Sequence, residues 1–294
     1  MPQVDKDGFI LVRHKNSRGP PASLITKGVA PPTDLKPDVI NVPAVIKKIE
    51  RLRVRLTSSR YLPRFLAAVD DCLSEQRAGQ SAVAAPNIVC YGLGHVASAP
   101  APQYQLALLL ELRAHLSAPR VEAYDPVFWP EEAALLSRLG LHVLEQDEQC
   151  GRRLTEPTVL YMPHCENVHY NNLLRANWHP DVLPRCLLIG NSLASIALKL
   201  PPSLLREFAF VERGAAHAAE RGVGERIDEP ELLAPFNDTA VHWFSAARLR
   251  ALPAYFWDEA PTQYEPPEPQ TDSSDDGGRA KPRRRRRKKS RNHN

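Results

Sequence analysis

Apolar residues fall into short β-branched or aromatic runs that alternate with longer stretches of helical spacing. The first such stretch, residues 44–77, carries two apolar stripes at i, i+3, i+4 and i+7, which predict two amphipathic helices. Runs that predict strands follow at 87–91, 121–125, 141–144, 158–162, 186–189, 208–211 and 240–244. Helices are expected between them at 103–116, 131–139, 171–178, 193–200 and 229–233. This alternation predicts an α/β fold, a Rossmann-like three-layer domain with a mainly parallel sheet.

The strand at 158–162 and the segment that follows it are the centre of this prediction. Thr158 to Met162 are all apolar, aromatic or β-branched, and Pro163 ends the strand because it has no N–H to donate. His164 and Cys165 then come where the chain leaves the sheet. Since ligands of open parallel sheets bind at the carboxyl ends of the strands, we expect a ligand-binding crevice here.

Other strand ends bring further polar residues and glycines to the same predicted edge. We expect the crevice to be lined by Gly92, Gly94, Asp125, His164, Cys165, Asn171, Asn172, Asn191 and Ser192.

The Gly92-Leu93-Gly94 turn has two interpretations. Such a turn lets backbone N–H groups face an anion or a nucleotide, but glycines also serve a simple tight turn. The dinucleotide motif is incomplete because Ala97 replaces its third glycine. Pro100 and Pro102 are expected to delay the following helix.

Asp125 leaves two interpretations open, and so does the asparagine pair Asn171-Asn172. An acid after the second strand often binds ribose hydroxyls, but Asp125 follows Gly94 by more than the roughly 20 residues expected, and Asp-Pro is a good turn dipeptide. Asn171 and Asn172 are expected to open a helix, either as caps or as the polar rim of a ligand site. Asn191 or Ser192 is expected to cap the helix after the strand at 186–189.

Metal binding and thiol catalysis are weakly supported. His164 and His169 have the spacing of a zinc pair, with Cys165 and His95 as further donors, but a second pair is missing, so we expect structural histidines and no metal. Cys165 is not favoured as a nucleophile, because its side chain should point away from that of neighbouring His164 on an extended chain. The sequence therefore identifies neither catalytic residues nor a cofactor.

Both ends of the chain differ in composition from its middle. Residues 1–40 are polar and rich in proline, which predicts a disordered N-terminal arm, and residues 261–294 predict a disordered tail that is first acidic and then basic. The folded domain is expected at 41–260. The net charge is +4, but residues 279–294 hold ten Lys or Arg and no acid, which leaves −6 for the rest. Only the tail is thus a candidate for polyanion or import-receptor binding, through Arg283, Arg284, Arg285, Arg286, Arg287, Lys288 and Lys289.

The five cysteines are scattered and odd in number, which argues against a disulfide framework and favours a reducing compartment. Cys90 and Cys186 fall in predicted strands, where a reduced cysteine behaves as a small apolar residue. The sequence shows no apolar signal core near its start and no apolar run of about 18 residues, so a membrane protein is not expected.

Several short motifs together resemble one known family, sensitivity-to-red-light-reduced (SRR-like), and its animal members in particular. The motifs are Met162–Cys165, Tyr170–Leu174, Ala176–Trp178, Gly190–Ser192, Tyr91–Gly94 and Tyr124–Phe128. The resemblance covers roughly residues 40–260. It implies a Rossmann-like fold, roles in circadian regulation and haem biosynthesis, and a place in cytoplasm and nucleus. It implies no reaction and no catalytic residue.

Three hypotheses of function follow. The first is a regulatory protein of circadian rhythm and haem biosynthesis that is not an enzyme, with protein partners left undefined. The second is an enzyme that binds a nucleotide or S-adenosylmethionine in the strand-end crevice. The third is an adaptor that binds nucleic acid through the arginine-rich tail.

Overall fold

The computed structural model describes residues 39–76 and 84–257. The expectations for the N-terminal arm and for the C-terminal tail lie outside these ranges. The helices described are α1 Val42–Thr57, α2 Tyr61–Gln76, α3 Pro100–Leu116, α4 Pro130–Arg138, α5 Asn167–Ala176, α6 Leu193–Lys199, α7 Pro202–Glu207, α8 Ala209–His217, α9 Pro230–Phe236 and α10 Ala246–Arg250. The strands described are β1 Asn87–Tyr91, β2 Val121–Tyr124, β3 His142–Val143, β4 Thr158–Met162, β5 Cys186–Asn191, β6 Ala219–Gly222 and β7 Thr239–Trp243.

These strands form one sheet in the order β3-β2-β1-β4-β5-β7-β6. The first five strands of this order run parallel, and β7 is antiparallel to both β5 and β6. The order 3-2-1-4-5 is that of the doubly wound nucleotide-binding folds, in which the chain reverses direction across the sheet between β1 and β4. The predicted α/β, Rossmann-like fold with a mainly parallel sheet is therefore confirmed.

Each face of the sheet is buried under its own group of helices, because neighbouring strand residues point to opposite faces. Ile88 and Cys90 of β1 pack in the core shared with α1, α2 and α3. Val89 and Tyr91 pack in the core shared with α5 and α8. The result is the predicted three-layer arrangement. All five cysteines are buried free thiols, including Cys90 and Cys186 in their strands.

The strand predicted at 208–211 is wrong, because these residues begin helix α8. Phe210, Val211 and Gly214 are buried there at helical spacing. Helix α8 packs against α5 so closely that a Cβ on Gly214 would lie 2.7 Å from a methyl carbon of Leu174. Strand β6 was missed, because an edge strand of sequence Ala-Glu-Arg-Gly has neither apolar alternation nor full burial.

Helices α3 and α5 begin three and four residues earlier than predicted, and both begin near the strand ends. Helix α3 starts at Pro100, since proline at the first helical positions loses only N–H groups that have no intrahelical partner. Helix α5 starts at Asn167, with Glu166 as its N-cap. Asn171 and Asn172 therefore lie inside α5, and the prediction that they open the helix is wrong.

No helix of the described ranges is long and apolar enough to cross a membrane.

Candidate functional site

A cavity of about 410 Å³ opens at the carboxyl ends of β1, β2 and β4, which is where the reversal of strand order predicts a ligand. Its size is within the range of about 300–1,000 Å³ that holds small ligands in proteins. We call it the strand-end pocket. It is lined by Tyr91, Gly92, Leu93, Gly94, Ala101, Pro102, Gln105, Tyr124, Asp125, Pro126, Val127, Asp147, Cys150, Pro163, His164, Cys165, Glu166 and His169.

Five of the nine predicted residues lie in this lining: Gly92, Gly94, Asp125, His164 and Cys165. Gly92 has a φ of +70°, and a Cβ at this position would lie 2.5 Å from the Sγ of Cys165. Cys165 is buried, and its thiol donates to the Tyr91 carbonyl at 3.4 Å. Gly92 is thus required by the close approach of the loops that follow β1 and β4.

Asp125 braces the turn after β1. Its Oδ2 accepts a hydrogen bond from the Gly94 N–H at 2.7 Å, and its Oδ1 accepts one from the Val127 N–H at 3.1 Å. Gly94 has a φ of +72°, which favours glycine. Asp125 therefore serves the predicted turn and also lies in the pocket lining.

A second carboxyl group, that of Glu132 on α4, also binds the loop after β1. Glu132 is completely buried, and its Oε1 accepts from the Ala97 N–H at 2.8 Å. Its Oε2 accepts from the Trp129 N–H and lies 3.0 Å from His95 Nδ1. The His95 ring stacks on Trp129 with a centroid distance of 3.7 Å. His95 is thereby a structural residue, and the described part of the chain holds no cluster of three or more metal-ligating side chains.

His164 is exposed at the end of β4 and has a φ of +56°, which is unusual for a residue with a side chain. Its Nε2 lies 3.0 Å from the Pro235 carbonyl, which also accepts from Gln105 Nε2 at 3.1 Å. Because a carbonyl only accepts, His164 carries its proton on Nε2. This bond ties the loop after β4 to α9.

The Cys165 thiol is held in its neutral form. Burial first, and then nearby thiol and carboxyl groups, raise its pKa well above the ordinary value. Burial and the neighbouring Asp147 raise the pKa of Cys150 to about 12. The thiolate is the reactive form of cysteine, so both side chains are poor nucleophiles at neutral pH.

Four predicted residues lie outside the pocket lining and have structural partners. Asn171 Oδ1 accepts from the Phe210 N–H at 3.1 Å, and Asn172 Nδ2 donates to the Gln149 carbonyl at 3.0 Å. Ser192 caps α6, as predicted, by accepting from the Ser195 N–H at 3.0 Å. Asn191 Nδ2 donates to the Cys165 carbonyl at 3.5 Å, so Asn191 contacts the loop after β4 although it does not line the pocket.

The sequence reasoning missed the side of the pocket formed by the loop between β3 and β4. Asp147 and Cys150 come from this loop, and Glu166 and His169 come from the start of α5. Gln149 and Cys150 in this loop have φ values of +48° and +56°. This backbone strain marks the loop as part of the site, and it cannot be read from the sequence.

A network of charges holds this loop against the sheet. Tyr91 donates its hydroxyl proton to Glu148, and Arg152 Nη2 lies 2.8 Å from Glu148. Arg152 also pairs with Glu122, which is buried on β2. Burial and the bond to Glu148 raise the pKa of Tyr91 far above its usual range, so the hydroxyl keeps its proton as a donor.

Comparison with known proteins gives one family and three named relatives. The sequence model of the SRR1 domain matches residues 69–243. The mouse SRR1-like protein is 43% identical over 122 residues, which are 40% of this chain and 49% of the mouse protein. The Arabidopsis thaliana protein SENSITIVITY TO RED LIGHT REDUCED 1 is 33% identical over 176 residues, 58% of this chain and 63% of the plant protein. The Drosophila melanogaster SRR1-like protein is 28% identical over 215 residues, 72% of each chain.

The matched segments thus span about half of the mouse relative and less than two thirds of the plant one. Among solved structures, the plantazolicin methyltransferase BpumL in complex with SAH is 12% identical and covers 69% of this chain and 99% of its own, with a TM-score of 0.33. At that TM-score the likeness carries no argument about function.

Proposed function

The chain belongs to the SRR1 domain family, and from this premise we propose that it is a regulatory protein of circadian rhythm and haem biosynthesis. Its action depends on a small molecule bound in the strand-end pocket, and it works in cytoplasm and nucleus. The name of the Arabidopsis relative refers to red-light sensitivity, which supports the light and clock part of this role. The haem part and the location come from the family resemblance.

The observation that carries the ligand-binding part is strain in the pocket wall. His164 and Cys150 both have side chains and both occupy the left-handed region of φ. Each such residue costs about 1–3 kcal/mol, and residues of this kind cluster at ligand sites and switch regions. A cavity at the reversal of strand order, with two strained residues in its wall, is the best candidate for the site of action in the described residues.

The test is complementation with a variant whose pocket is filled. Val127 lines the pocket and is 45% exposed, whereas Val54 on α1 lies outside it and is 66% exposed. In cells that lack the protein, we expect the wild type and Val54→Trp to restore the period of a clock-gene reporter and the haem content. Val127→Trp should restore neither at equal protein level. Full rescue by Val127→Trp would contradict the proposed role of the pocket.

A second candidate is an enzyme that uses an adenine cofactor. The position of Asp125 at the end of β2, beside the strand-end pocket, favours this candidate, since an acid at that place binds ribose in Rossmann folds. Calorimetric titration with S-adenosylmethionine, NAD and ATP separates the two candidates. Binding that Val127→Trp abolishes and Val54→Trp retains would support the enzyme. No binding of any of the three would remove it and leave the regulatory proposal standing.

A further inference from the structure

We propose that the strand-end pocket selects a ligand with an apolar body, a positive charge and no phosphate group. This inference rests on the proposed ligand-binding function and names the chemical class of its ligand.

The loop after β1 is a poor cradle for a phosphate, because several backbone N–H groups in it and at the start of α3 already donate elsewhere. The N–H groups of Gly94 and Ala97 donate to the carboxylates of Asp125 and Glu132. Those of Gly92, Ala99 and Gln103 donate to backbone carbonyls. Two carboxyl groups therefore occupy backbone donors that would otherwise face a pyrophosphate.

The start of α3 is likewise a poor anion site. Its first and third residues are Pro100 and Pro102, which have no N–H to offer. Pro102 also packs against the turn, since a Cβ on Gly94 would lie 3.2 Å from its ring. The positive end of the helix dipole is thus covered by apolar rings instead of free donors.

The charged groups of the wall favour a cation. Among the described residues that line the pocket, the carboxylates are Asp125, Asp147 and Glu166, and there is no Lys or Arg. Glu166 is the N-cap of α5 and accepts no capping hydrogen bond from that helix. Its carboxylate is exposed beside the pocket, where it attracts a cation and repels a phosphate.

The rest of the wall fits an apolar body with one hydrogen-bond donor. Leu93, Ala101 and Val127 supply aliphatic surface, and Tyr91 and Tyr124 supply aromatic surface. His169 lines the same cavity, and its Nδ1 is buried without a hydrogen-bond partner among the described residues. In the tautomer that carries its proton on Nε2, this Nδ1 is an acceptor, and an ammonium N–H of a ligand is the kind of donor that satisfies it.

The test is a set of small aromatic scaffolds, each prepared as a primary amine, a neutral amide and a phosphonate. Binding to the full chain is measured by ligand-observed NMR. We expect the amines to bind best and Val127→Trp to abolish their binding. Glu166→Gln should weaken the amines about three- to tenfold and leave the amides unchanged, as expected for one lost charge near the surface. Glu145→Gln, an exposed acid outside the pocket lining, is the control for net charge and should change neither.

The two proposals fail in different ways. Phosphonates or amides that bind in the pocket as well as the amines would overturn the ligand class and leave the pocket as a binding site. Amine binding that is indifferent to Glu166→Gln would overturn the electrostatic basis of selection. If no scaffold of any charge loses binding in Val127→Trp, then both the ligand class and the binding function of the pocket are wrong.

Discussion

The Sγ atom of Cys165 occupies the space beside Gly92 so fully that a Cβ on that glycine would lie 2.5 Å from it. The thiol also donates to the carbonyl of Tyr91, the last residue of β1. The two loops that form the floor of the pocket are therefore fitted to each other. This contact makes the glycine and the cysteine a coupled pair.

Gly92→Ala should lower the free energy of unfolding by about 2–4 kcal/mol, through its positive φ and the overlap with sulfur. Cys165→Ala removes the sulfur, so the double variant should lose less stability than the sum of the two single variants. Urea denaturation of all four proteins measures the coupling energy, which we expect to be about 1 kcal/mol or more. If the two losses add within about 0.5 kcal/mol, Gly92→Ala costs the same with or without the sulfur of Cys165, and the overlap between the two residues contributes nothing to the loss.

Tyr170 joins the ends of β4 and β5, and its removal should loosen the sheet there. Its buried hydroxyl donates to the Met162 carbonyl at 2.7 Å and accepts from the Asn191 N–H at 2.9 Å. Tyr170→Phe leaves both backbone groups without this partner and should cost about 1–3 kcal/mol of stability. Tyr255→Phe is the matched control because Tyr255 is 76% exposed. Equal melting temperatures for the two variants would contradict the role of the hydroxyl.

Glu220 should make stability depend on acid pH. Burial raises its pKa, but hydrogen bonds from His242, Ser192 and Ala194 and the charge of His242 outweigh burial and lower that pKa to about 2. The folded-state pKa lies below the unfolded one of about 4.3, so this contribution is present above pH 4.3 and is lost as pH falls toward 2.

Glu220→Gln should therefore lower the free energy of unfolding by about 1–3 kcal/mol at pH 7, and the difference from wild type should shrink between about pH 4.3 and 2. Denaturation curves at a series of pH values measure it. Glu225→Gln, a nearby acid on the exposed surface, is the control. A difference that stays constant down to pH 2 would show that the charge of Glu220 contributes nothing.

The basic tail should act in nuclear import. Seven consecutive Arg or Lys at 283–289 are of the kind that import receptors or polyanions bind. Deleting 279–294 should shift a tagged protein from nucleus to cytoplasm. Replacing the seven residues by Gln should do the same at constant length. An unchanged nuclear fraction, together with salt-dependent RNA binding that the deletion abolishes, would favour the adaptor hypothesis instead.

Most of the fold could be predicted from local pattern because buried parallel strands are continuous apolar runs. Thr158–Met162 is a strand with the predicted bounds, and all five of its residues are buried. The turn glycines, Asp125 and His164 were found because the carboxyl ends of parallel strands meet at one edge of a sheet. Phe208–Val211 was mistaken for a strand, because a short apolar run has the same pattern in a buried helix.

The sequence by itself determined that the carboxyl ends of β1, β2 and β4 lie side by side. It therefore also determined that Gly92, Asp125 and Cys165, which follow these strands, lie close together. Only the tertiary structure decided which other strand-end residues join them. Asn191 is the last residue of β5 and pairs there with Thr239 of β7, and its neighbour Ser192 donates its hydroxyl to Glu220. The loop carrying Asp147 and Cys150 is held at the pocket by one long-range ion pair, from Arg152 to Glu122, and by the hydrogen bond from Tyr91 to Glu148. Such contacts join residues about 30 or more apart, and no local pattern of apolar and polar positions encodes them.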